Sequence, residues 1–130
     1  MAKAGYSMQV NPKTSSKAFG RALRISTRNA IAICTAINGM NLQKAKAMMR
    51  NVLEGKASLD GKFYNNATQE ILSLLESAEA NAKAKELDTN KLIIKVSATK
   101  GFTFHRPRTR RKLSGQQGKM TNVQVILRKA

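Results

Sequence analysis

The stretch Leu92-Ile93-Ile94-Lys95-Val96-Ser97-Ala98-Thr99 decides the fold class of this chain. Leu92, Ile94, Val96 and Ala98 alternate with Ile93, Lys95, Ser97 and Thr99. That period of two belongs to a strand with one buried face. The same phase resumes at Phe102 and Phe104, which assigns both rings to the core in preference to a platform for stacked bases. Near the end of the chain Val123, Val125 and Leu127 alternate with Asn122, Gln124 and Arg128. Two such runs joined by a connection predict an antiparallel pair.

Upstream the period is helical. Ser26 is placed to cap a first helix whose apolar stripe is Ala30, Ile33, Cys34 and Ile37, with Gly39 as its stop. A second helix starts at Asn41, carries Leu42, Ala45, Met49, Val52 and Leu53, and ends at Gly55. Asn66 and Gln69 resemble a capping pair for a third helix lined by Ile71, Leu74, Leu75, Ala78 and Ala82. Lys83 and Lys85 sit where the dipole favours cations. Ala18 to Ile25 reads as a short edge strand. The order predicts an α+β fold, with three helices packed on one face of a small antiparallel sheet.

The chain has 130 residues, and one domain is expected. Residues 1–18 read as a basic N-terminal arm, 19–104 and 120–130 as the body, and 105–119 as an extended hairpin loop. That loop is longer than a tight hairpin needs. Pro107 cannot donate to a ladder, and Gly115 and Gly118 add backbone freedom, so the segment is expected to be weakly ordered alone.

Charge points to the partner. There are 24 basic and 7 acidic residues, a net charge of +17. All seven acids lie between Glu54 and Asp88, while Asn90 to Ala130 carries eleven Lys or Arg and no acid. So one-sided a segment needs an external polyanion, and nucleic acid is the commonest in a cell. Arg106, Arg108, Arg110 and Arg111 crowd into six positions, and guanidinium forks hold phosphate in bidentate fashion. With Lys100, Lys112 and Lys119, and with Lys17, Arg21, Arg24 and Arg28 near the first helix, they are the candidate phosphate contacts. Few aromatics are present, which favours recognition of folded RNA by shape and backbone.

Other functions lack their residues. One histidine, His105, and one cysteine, Cys34, make no zinc ligand set, and no metal or cofactor is expected. Glu76 and Glu79 read as exposed helix charges and not as a catalytic pair. An enzyme would have almost no acid–base groups to use. Cys34 in an apolar pattern reads as a small buried hydrophobe. No stretch approaches the ~20 apolar residues of a membrane span, and no amphipathic anchor accompanies the basic run. The N-terminus has no apolar core for a secretory signal, and a cytosolic, soluble chain is expected. The alternative to a bound structural component is a free-standing nucleic-acid chaperone or DNA-compacting protein.

Four stretches resemble one family. Tyr6-Ser7 precedes the basic arm. Gly39-Met40 and Lys44-Ala45 mark the corner into the second helix. Ser77-Ala78-Glu79-Ala80-Asn81-Ala82 and Leu87-Asp88 close the third. Arg106-Pro107-Arg108 precedes the loop and the terminal strand from Asn122 to Leu127. Their order and spacing resemble the universal L-twenty-two family of large-subunit ribosomal proteins, called L-seventeen in eukaryotic naming, in its archaeal and eukaryotic branch. The resemblance implies a long extended β-hairpin on the α+β body and binding to large-subunit rRNA. It also implies contact with neighbouring ribosomal proteins, a role in subunit assembly, and a hairpin tip that helps line the nascent-peptide exit tunnel. The matching tip positions are Arg110, Arg111, Lys112 and Leu113. Family members often have Gly where this chain has Arg111. The chain also lacks an insertion common in that branch between Tyr64-Asn65 and the third helix.

Overall fold

The computed structural model describes residues 5–108, 110, 112 and 114–129. Strand β1 spans Ser15–Leu23 and is followed by helices α1 (Thr27–Ile37), α2 (Leu42–Leu53) and α3 (Asn65–Ala84). A single 3-10 turn at Thr89–Lys91 leads into β2 (Leu92–His105), and β3 (Gln117–Lys129) closes the chain. The fold is α+β, as the periodicity predicts.

The sheet has the order β1-β3-β2, antiparallel throughout. The last strand in sequence is therefore the middle one. The register runs from Leu92↔Lys129 to His105↔Gln117 on one side, and from Ser15↔Arg128 to Leu23↔Thr121 on the other. Val123, Val125 and Leu127 lie on the helix-covered face with Leu92, Ile94 and Val96, all fully buried. Ile33 and Ile37 of α1, Leu42 and Met49 of α2, and Ile71 and Leu75 of α3 complete that core. Each such Leu or Ile contributes about 1.5–3 kcal/mol by leaving water. Leu53 and Leu74 are only half-buried, at the edges of their stripes.

Two of the expected caps are not made by side chains. Ser26 stands at the N-cap of α1, but its hydroxyl bonds no amide of the first turn. Helix α3 begins at Asn65 after Tyr64, so Asn66 lies inside the first turn and no side chain caps the start. Asn41 does cap α2, accepting from the Gln43 amide at 3.1 Å. Gly39, at φ +80°, turns the corner between α1 and α2. That corner covers the outer edge of β2. The Ile94 amide donates to the Met40 carbonyl at 3.1 Å, and the Val96 amide to Asn38 Oδ1 at 2.7 Å. The edge of β2 is thus covered at its start, from Ile93 to Val96.

The opposite sheet face is covered by residues 5–10. Gln124 donates from Nε2 to the Gly5 carbonyl and accepts from the Ser7 amide at 3.1 Å. Tyr6 meets Phe19 edge-on, with centroids 6.4 Å apart. Ile126, out of phase with the core residues of β3, lies on this face in register with Lys17 and Lys95, and is fully buried. Strand β1 begins at Ser15, three residues before the expected Ala18. It is pinned to α3, where Ser16 Oγ donates to the Ala78 carbonyl at 2.7 Å and Asn81 Nδ2 to the Lys17 carbonyl at 2.9 Å.

Candidate nucleic-acid interface

Beyond Leu23↔Thr121 the pair β2–β3 continues without a third strand, out to His105↔Gln117. The Arg106 amide then donates to the Gln116 carbonyl at 2.9 Å. β2 has 14 residues, a reach of roughly 45 Å at ~3.3 Å per residue. Two strands alone are marginal in water, so this outer part calls for a surface to lie against.

Arg106, Arg108, Arg110 and Lys112 are exposed along the connection, and Lys100 is exposed where β2 shifts register between Lys100 and Thr103. Arg111 and Leu113 of the expected tip lie outside the described residues. Arg24, Arg28 and Lys119 come together at the base of the hairpin. They line a groove of about 720 Å³ between the starts of α1 and α3. Lys17 sits apart on the arm-covered face, its ammonium 4.8 Å from the centre of the Tyr6 ring. Arg21 is exposed on β1 and joins neither group.

The groove is held by a small set of polar contacts. Thr121 Oγ1 donates to the Ile25 carbonyl at 2.9 Å and lies 2.8 Å from Thr27 Oγ1, which fixes the start of α1 on β3. Arg24 Nη1 donates to the Lys119 carbonyl at 2.5 Å, and its guanidinium lies over Phe104.

The hairpin corrects two expectations. Phe102 is 67% exposed and lies outside the core. The register shift between Lys100 and Thr103 breaks the apolar phase before it reaches this ring. Phe104 is half-buried, against Gly118 and Arg24 and away from the helices. Gly118 is a buried strand residue beneath the Phe104 ring, so its missing side chain serves close packing and not loop freedom.

The ion pairs explain why these cations stay available. Glu54, Glu76, Glu79 and Asp88 pair with Lys56, Arg50, Lys46 with Lys83, and Lys91. Among the described residues, none of the candidate phosphate contacts has a carboxylate partner. Glu79 is not the exposed helix charge expected. It lies buried between α2 and α3, with its Oε2 accepting from Lys46 Nζ at 2.5 Å and its Oε1 from Gln43 Nε2 at 3.1 Å. The Lys46 hydrogen bond holds its carboxyl below the usual carboxylate range, outweighing the opposing effect of burial. Burial pushes the Cys34 thiol up to about 12. Among the described residues, no three His, Cys, Asp or Glu side chains gather to hold a metal. Among the described residues, no helix is long and apolar enough to cross a membrane.

The sequence does not single out Phe63, 52% exposed in the groove lining, nor the packing of Tyr6 with Phe19 beside the candidate Lys17. An aromatic in a polar loop was the only available signal for Phe63. Nothing in the chain says which cations face it.

A basic hairpin on a small α+β body, its candidate cations unpaired by carboxylates among the described residues, has the charge arrangement of a nucleic-acid-binding protein. The family model for ribosomal protein L22p/L17e matches residues 18–128, and the chain belongs to that family. It is similar to the large ribosomal subunit protein uL22 of Methanococcus vannielii, at 38% identity over 98% of this chain and 97% of the relative. The protein of the same name from Methanocaldococcus jannaschii is 37% identical over 98% of this chain and 96% of its own length. That of Methanopyrus kandleri is 34% identical over 92% and 89%. The first two alignments run over 149 positions, more than this chain has, so those relatives carry residues absent here.

Proposed function

We propose that the chain is a structural constituent of the large ribosomal subunit, at work in the cytoplasm. It binds large-subunit rRNA and neighbouring proteins and supports assembly. Its hairpin tip, around Arg110, Arg111, Lys112 and Leu113, reaches the wall of the nascent-peptide tunnel. One observation carries the RNA contact: the candidate cations on the hairpin and in the groove have no carboxylate partner among the described residues. Cations brought this close repel one another in the folded chain, and phosphate relieves the repulsion. The ribosome and the tunnel rest on the family, and the reach of the unflanked hairpin supports them.

The test is the salt dependence of binding to rRNA fragments. Arg108, Arg110 and Arg111 replaced together by Ala should flatten the slope of log K against log salt by roughly two to three units. An unchanged slope removes the hairpin from the interface. Sedimentation of a lysate should place the chain with large subunits. A chain confined to the top of the gradient, binding DNA and RNA alike, would instead be a free-standing nucleic-acid chaperone.

A further inference from the structure

We infer that the groove at the hairpin base is a pocket for a single unpaired nucleotide of RNA. The inference rests on the RNA-binding reading above and adds what part of the RNA enters. The walls carry Arg24, Arg28, Phe63, Asn66, Gln117 and Lys119, and no carboxylate lines them. The groove is open on one side, and its volume of about 720 Å³ leaves room for a nucleotide.

Three features divide the work between phosphate and base. Arg28 and Lys119 are exposed cations without an acid partner among the described residues, and they face a groove that also holds Arg24. Arg24 is held by the Lys119 carbonyl and the Phe104 ring, so its charge is fixed in place before any ligand arrives. Phe63 is a large apolar ring left 52% exposed in the same lining, which also includes Asn66. An exposed ring beside convergent cations suits a base stacked on the ring with its phosphate among the cations. The starts of α1 and α3 add to this. The first bonds are Ala30 amide to Ser26 carbonyl and Thr68 amide to Tyr64 carbonyl, and neither helix has a side-chain cap or an acid in its first turn. Their positive ends favour an anion in the groove. Duplex RNA cannot offer a face of a base to Phe63, and a bulged or looped nucleotide can.

The experiment uses the full chain and two RNA probes, a short duplex with one unpaired adenosine and the same duplex fully paired. Wild type should bind the bulged probe about tenfold more tightly. Phe63→Leu should bring the two affinities to within about twofold, because stacking on the ring is lost. Phe63→Tyr should keep the preference, and Arg28→Ala should weaken binding to both probes. Phe63 is a surface residue, and its substitutions leave the core intact. Equal wild-type affinities with a steep salt dependence would overturn the pocket and leave RNA binding standing. So would a preference that survives in Phe63→Leu. Failure of wild type to bind either RNA would overturn the reading on which the pocket rests.

Discussion

Arg24 lies over the face of Phe104, its guanidinium carbon 5.4 Å from the ring centre, and the same side chain donates to the Lys119 carbonyl. One residue between β1 and α1 thus grips both strands of the hairpin, through the ring on β2 and the backbone of β3. Arg24→Ala should lower stability by about 1 kcal/mol. It should also speed amide exchange at residues 103–105 and 117–119 more than in the helices. Arg24→Lys should recover little, because an ammonium cannot span ring and carbonyl together. Uniform exchange across the sheet in Arg24→Ala would show that the grip does not set the hairpin.

A Cβ added to Gly118 would collide with Cζ of Phe104. Gly118→Ala must therefore displace the ring, at a cost of roughly 1–3 kcal/mol. Phe104→Ala alone loses the contacts of the ring. The double variant should be less damaged than the sum of the singles, because the clash and the ring vanish together. Chemical denaturation of the four proteins measures this, and strict additivity would refute it.

The buried pair Lys46–Glu79 couples stability to acid. The Glu79 carboxyl sits below its ordinary value of 4.5, chiefly through the Lys46 hydrogen bond. Its stabilising contribution is present above the unfolded value and is lost as pH falls from there through the folded value. Glu79→Gln should cost roughly 3 kcal/mol at neutral pH, since it leaves a buried ammonium without its charge partner. It should also flatten the pH dependence of stability below about 4.5. Parallel acid-denaturation curves for the two proteins would count against the pair.

Cys34 is buried in α1, and its thiol is raised to about 12. At pH 8 almost none of it is thiolate. A thiol reagent should therefore modify the native protein no faster than the chain unfolds, and promptly in denaturant. Fast native labelling would place Cys34 at the surface.

Much of the body was legible because its signals are local. The stripes Ala30, Ile33, Cys34, Ile37 and Ile71, Leu75, Ala78, Ala82 are buried as their spacing predicts. Gly39 turns the corner expected of it. The alternation from Leu92 to Ala98 and from Val123 to Leu127 marks two paired strands. The errors fall where residue type and spacing do not fix the geometry. Phe102 follows the apolar phase but is turned out after a register shift. Ser26 and Asn66 have capping chemistry, yet α1 and α3 start uncapped.

By itself the sequence determined the element types, the core stripes and a carboxylate-free run of cations, since each depends on residue identity at short spacing. Tertiary structure alone decided that β3 lies between β1 and β2, and that residues 5–10 cover the second sheet face. It alone brought Arg24, Arg28 and Lys119 together with Phe63 in one groove. The reason is that strand order and side-chain meeting points are set by pairing and packing between segments as far as 119 residues apart. No periodicity within a segment records them.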